Sequence, residues 1–257
     1  MTQACFDTAT TATTAAQRVA HALEGAASPA AQHVFTKLYA DAARATAQQS
    51  DAEAQAGRRL GALHGVCLTL KDNIDVAGET TRAGGVVCAG EAPALHDAPV
   101  VQRLREAGAV VLGKTNMSEF AFSGVGINPH HGTPANPADA THARVPGGSS
   151  SGAAMSVALG LAEVGIGTDT GGSIRIPAAL CGLVGFKATQ ARIPCTGVME
   201  LSRTLDTVGS ITRSVRGCLA VDAVLSRQPL PTDATELRGL RFAVPQTLML
   251  DDVDATV

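Results

Sequence analysis

The sequence predicts an α/β fold, and three observations carry that prediction. Of its 257 residues 45% are hydrophobic and 17% charged, enough apolar chain for one substantial core or two small ones. Short apolar runs alternate with stretches of helical periodicity through the middle of the chain. No internal repeat or low-complexity tail competes with that alternation.

Taken in order, Thr11 to Gly57 is rich in Ala, with Val34, Leu38, Tyr39 and Ala42 at helical spacing and Gly57 placed to stop the run, so two helices are expected. Leu63 to Leu70 is short, apolar and partly β-branched, and ends at the polar turn Lys71-Asp72-Asn73. It reads as a buried strand that delivers polar groups at its end. Ala98 to Ala107 has helical periodicity with Pro99 near its start and Gly108 after it, and Ala109 to Leu112 forms a second short strand. After a turn-rich stretch, Ser151 to Leu159 reads as a helix, followed by short apolar pieces at Ala162 to Ile166 and Leu183 to Phe186. Leu219 to Leu225 falls in a further helix and Leu240 to Val244 in a last strand. Asp251 to Val257 looks like the opening of another helix, which leads us to expect a fragment of a longer protein.

Charge narrows the function classes. Twenty Lys and Arg against 23 Asp and Glu leave a net −3, and with one Tyr, six Phe and no Trp there is little from which to build a basic, stacking groove. Direct nucleic-acid binding is not expected. The six cysteines include no C-x-x-C pair, as in a reducing cytoplasm. The first residues lack a basic stretch followed by an apolar one, and the most apolar later segment is broken by Glu163 and glycines, so neither a signal peptide nor a membrane span is expected.

Several motifs match and fail. Gly108 to Thr115 fits G-x-x-x-x-G-K-[ST], but Ala109 to Leu112 is itself a strand, where a phosphate loop needs an open cradle. Gly148 to Gly152 fits G-x-S-x-G with Ser150 at its centre, yet no His follows Ser150 to act as base. His130-His131 has no metal-binding spacing and reads as a surface turn, so no metal is expected. Cys181 and Cys195 read as small core residues.

Two Gly/Ser clusters remain, Pro146 to Gly152 running into a helix, and Gly167 to Pro177. Consecutive glycines let the backbone approach a ligand closely, and a turn of free N–H groups forms a nest for negative charge. A serine needs a base to become a nucleophile, and with no His following the clusters a distant lysine is the natural candidate. Lys71, Lys114 and Lys187 all qualify on the residues alone.

The segments LTLKDNIDVAG (Leu68–Gly78), VPGGSSSGAA (Val145–Ala154) and GTDTGGSIRIPAALCGLVGFK (Gly167–Lys187), in this order, resemble the amidase signature family. The resemblance runs from about Gly61 to Gly209 and departs from the family at Cys67 and Ala188, positions where Pro is common. It implies a mixed, twisted sheet covered by helices on both faces, with the chain forming the N-terminal portion of one domain. Within it 1–60 would be a helical lead-in, 61–215 the signature core and 216–257 the start of the remaining half.

The resemblance further implies Ser173 as nucleophile, Ser149 as a bridging serine after a cis peptide, and Lys71 as base. The N–H groups of Thr170, Gly171, Gly172 and Ser173 would form the oxyanion hole. Asp169 and Arg175 are expected to hold the loop as an ion pair, and Ser150, Asn73 and Asn116 to support the site. The implied activity is hydrolysis of a linear amide through an acyl-enzyme, with a small-molecule amide as partner, no cofactor, and a homodimer compatible with the family. One alternative is the catalytic component of a glutamine-dependent tRNA amidotransferase, although Asn116 to Phe122 looks more like free-standing amidases. An alternative of another class is a non-catalytic folding or interaction module.

Overall fold

The computed structural model describes residues 13–139, 141–229, 236, 238–244, 251 and 253. Two helices open it, α1 (Ala15–Ala26) and α2 (Ala40–Gln55), with β1 (Phe35–Leu38) between them. There follow β2 (Cys67–Lys71), α3 (Pro99–Glu106), β3 (Val110–Thr115), α4 (Ser151–Ala158), β4 (Val164–Asp169), α5 (Arg175–Leu180), β5 (Val184–Phe186), β6 (Thr207–Thr212) and α6 (Val215–Ser226). The strands make one mixed sheet in the order β1-β3-β2-β4-β6-β5. Its centre, β3-β2-β4, is parallel, and both flanks are antiparallel.

Alternation along the central strands decides which helix lies on which face. Leu68 and Leu70 of β2, Val111 of β3 and Ile166 of β4 point into a core closed by Val100, Val101 and Leu104 of α3 and Val221 and Leu225 of α6. Cys67, Val110 and Leu112 point the other way, against Val19 of α1 and Ala43 and Ala47 of α2. On that same face Thr69 Oγ1 lies 3.0 Å from Ser156 Oγ of α4. Helices therefore cover both faces, and Lys71, two residues beyond Thr69, emerges on the face that carries α4.

Four readings of the sequence need correction. The helical spacing from Val34 to Ala42 is interrupted by β1, because Phe35 to Leu38 pair with Thr115 to Gly113 of β3 and the helix starts only at Ala40. In the run Leu63 to Leu70 only Cys67 onward is strand, since Leu63 and Gly65 give their N–H groups to Ala107 and Gly108 in a turn with Gly65 at φ +74°. β3 and β4 run further than their apolar residues suggested, to Thr115 and Asp169, which carries polar side chains to the sheet's end. Leu240 to Val244 is irregular rather than a strand, with Phe242 81% exposed, so no buried apolar face fixes it. α5 and β6 were not anticipated, and the helix expected from Asp251 falls largely outside the described residues. Among the described residues no helix is long and apolar enough to cross a membrane.

Candidate active site

Three segments meet at the C-terminal ends of the parallel strands β2 and β4, where open α/β sheets commonly bind ligands. The first is β2 itself, buried along its whole length and ending in Lys71, which is fully buried. The second is the Gly-Ser turn before α4. The third is the turn from the end of β4 into α5, which carries Ser173.

Lys71 Nζ lies 2.6 Å from Ser149 Oγ and 2.7 Å from Thr168 Oγ1. Burial strips water from the ammonium and lowers the Lys71 pKa to about 7, against the raising pull of Asp169 and Asp206. Thr168 Oγ1 also accepts from Asn73 Nδ2 at 3.1 Å, so Asn73 supports the contact that positions the lysine. The Gly148–Ser149 peptide is cis. Ser118 N–H donates to the Ser149 carbonyl at 3.1 Å and Gly148 N–H to the Gly124 carbonyl at 2.7 Å, which fixes the turn from both sides.

The Ser173 turn is built around Asp169. Its carboxylate accepts from the N–H of Gly172 at 2.8 Å and of Ile174 at 3.1 Å, and from the Arg175 guanidinium at 2.9 and 3.0 Å. Burial alone would raise this carboxyl, but Arg175 and the N–H groups of Ile174 and Arg175 outweigh it and hold it below its ordinary value. The N–H of Gly172 is thereby committed to Asp169, which corrects its expected place among the free donors of the turn. Gly172 itself sits at φ +136°, a conformation L side chains rarely adopt. Ser173 is 8% exposed, and its carbonyl accepts from Ser150 N–H at 3.2 Å, tying the two Gly-Ser turns together.

Ser150, at the centre of the rejected elbow motif, is fully buried with its hydroxyl turned to the Thr168 carbonyl at 3.3 Å. Asn116 uses its amide to hold the His33 and Gly132 carbonyls at 2.9 and 2.8 Å, a bracing role. Lys114 is buried but faces Asp72 at 3.3 Å, and Lys187 donates to the Ala188 carbonyl, so of the three lysines open on sequence only Lys71 reaches a serine of the Gly-Ser turns. Burial pushes the Cys181 thiol up to about 11 and raises that of Cys195, which leaves neither activated. His130 pairs with Glu119, and no metal-binding cluster occurs among the described residues.

Two residues that sequence reading missed belong here. Thr168, hidden in a Gly/Thr run that reads as a turn, is the second partner of Lys71. Asp206 anchors the hydroxyl of Thr170 and accepts from the N–H groups of Leu201 and Ser202 at 2.8 and 3.0 Å. Nothing in the local sequence marks Asp206 as part of the site, because Thr170 lies 36 residues away.

Known proteins resemble this chain in sequence and in fold. The profile of the family described as Amidase matches residues 18–256. The 2-amino-5-chloromuconic acid deaminase of Comamonas testosteroni is 41% identical over 218 residues, 84% of this chain and 47% of the relative. The A-type subunit of glutamyl-tRNA(Gln) amidotransferase from Anaeromyxobacter sp. (strain K) is 41% identical over 237 residues, 87% of this chain and 48% of its own length. The peptide amidase of Stenotrophomonas maltophilia superposes with a TM-score of 0.75 at 40% identity, over 83% of this chain and 45% of that one. The chain thus spans about half the length of the curated relatives it matches. On the extent of that match and the sheet that goes with it, the chain belongs to the amidase signature family.

Proposed function

We propose that this chain carries the catalytic machinery of an amidase that hydrolyses a linear carboxylic amide through an acyl-enzyme on Ser173. The observation that carries the reading is a fully buried lysine, brought to a pKa of about 7, 2.6 Å from the hydroxyl of Ser149. In its neutral form Lys71 accepts the Ser149 proton while Ser149 takes that of Ser173, whose Oγ bonds to the amide carbon. The oxyanion is held by the N–H groups of Thr170, Gly171 and Ser173. As the C–N bond breaks, the proton returns through Ser149 to the leaving nitrogen, and ammonia or an amine departs. Water repeats the attack, giving its proton along the same path, and the carboxylic acid leaves with Ser173 restored.

The likeness to the glutamyl-tRNA(Gln) amidotransferase component carries a second version, in which the amide is that of glutamine and the ammonia passes to a partner. Glutaminase activity that rises on adding such partner chains would select it over a free-standing amidase.

Covalent labelling with a fluorophosphonate, followed by peptide mapping, tests the machinery without knowledge of the substrate. The expected adduct lies on Ser173, disappears in Ser173→Ala, and forms at least about a hundredfold more slowly in Lys71→Ala, the size of a lost general base. An adduct on Ser150, or one indifferent to Lys71, sinks the assignment.

A further inference from the structure

A cavity of about 400 Å³ opens beside β1, lined by neither Ser149 nor Ser173. It falls within the range of pockets that hold small metabolites, about 300–1,000 Å³. Its lining includes Lys37 of β1 and Lys114 of β3, which are direct cross-strand partners. Like charges placed opposite one another on a sheet are destabilising, and here each lysine is met by an acid. Lys114 lies 3.3 Å from Asp72, and Lys37 Nζ 2.6 Å from Glu79 Oε1.

With both carboxylates so engaged, the groups left over on the lining, the guanidinium of Arg82, the hydroxyl of Thr36 and the imidazole of His131, are all able to donate. Arg82, also on the lining, makes no ion pair among the described residues. The β1–β3 register shifts between Phe35 and Lys37, and the residue it spans, Thr36, lines the cavity beside Lys37 where strict alternation would send it to the other face. Thr36 Oγ1 is buried without a hydrogen-bond partner, and so is Nε2 of His131, which lines the same cavity. Orphaned buried polar atoms cost free energy unless something satisfies them. Three basic side chains, Lys37, Lys114 and Arg82, against two engaged carboxylates, Asp72 and Glu79, leave the lining one basic group in excess.

We propose that this cavity is a second binding site, for the oxyanion group, carboxylate or phosphate, of a small metabolite. Arg82 supplies a planar pair of donors for two oxygens of the group, and Thr36 and His131 donate to the rest. The site is separate from the proposed catalytic groups and stands whether or not the amidase reading does.

Isothermal titration of the full chain at low ionic strength, with inorganic phosphate in one arm and acetate in the other, tests it. Saturable one-site binding is expected, and the tighter arm identifies the oxyanion. Arg82→Gln should weaken that binding about tenfold or more and the isosteric Thr36→Val several-fold, while Ser173→Ala leaves it unchanged. Absence of saturable heat with both anions overturns the proposal, as does unaltered affinity in both Arg82→Gln and Thr36→Val. Binding lost in Ser173→Ala would place the anion at the Ser173 turn and overturn it as well.

Discussion

Lys71 is held between two opposed influences. Burial favours its neutral form, while Asp169 and Asp206 favour the charged one, and the balance near 7 leaves both forms populated around neutral pH. If the neutral amine is the base, the rate follows the deprotonated fraction, which rises from about a tenth at pH 6 to about nine tenths at pH 8. The labelling rate of Ser173 should therefore rise about tenfold across that interval, and a profile that falls over it removes Lys71 as base. Asp169 carries the complementary structural role. Asp169→Ala leaves the N–H groups of Gly172 and Ile174 without their acceptor and Arg175 without its acid. Because Arg175 is half exposed, the expected loss in urea unfolding is about 2–4 kcal/mol, at the lower side of what breaking a buried pair costs. Since the folded carboxyl is held below its ordinary value of 3.8, its contribution is complete above that value and fades only as pH falls through the lowered one. The difference between wild type and variant should thus persist undiminished at pH 5. Of these residues, Ser149, Ser173 and Lys71 could be named from family resemblance, but residue chemistry alone left Lys114 and Lys187 level with Lys71. Burial and partners separate them, and neither is written in a single position.

At the scale of elements, the approach of α4 to the sheet places the Ser149 turn. Gly165 of β4 lies directly beneath α4, where a Cβ would meet the Ala153 carbonyl at 2.5 Å. Gly165→Ala should force the two elements apart and cost about 1–3 kcal/mol in thermal or urea unfolding, with slower Ser173 labelling as the turn is displaced. A fully stable, fully reactive variant would show that the helix position does not matter to the turn. The elements legible in the sequence were those with a clear local signal: α3 by its helical periodicity and the flanking Pro99 and Gly108, α4 and α6 by their runs of helix-compatible residues, and β3 by its Val-Val-Leu run, although β3 and nearly all of α4 are buried on every side. β6 was not legible, because Thr207 to Thr212 is buried at every position yet built from Thr, Ser and Gly around two apolar residues. β1 was hidden for a different reason, its residues fitting a helical period as well as an extended one until the pairing with β3 decides.

At the scale of the molecule, the sheet divides the apolar interior into a core under α3 and α6 and another under α1 and α2. Leu104 belongs to the first and Leu112 to the second, both essentially without exposure. Leu104→Ala and Leu112→Ala should each cost about 2–5 kcal/mol, and the double variant should lose their sum within about 0.5 kcal/mol. A shortfall well beyond that would mean that the two layers communicate through the strands. The contacts of Lys71 with Ser149 and Thr168 span 78 and 97 residues of chain, far beyond the reach of any single helix or turn. Assembling the site therefore means closing long loops, a step whose entropy must be met before any local contact there gives a return. On the proposed chemistry, reactivity at Ser173 would be in this sense a report on topology: it would become available only to chains that have already threaded β2, α4 and β4 into their final order.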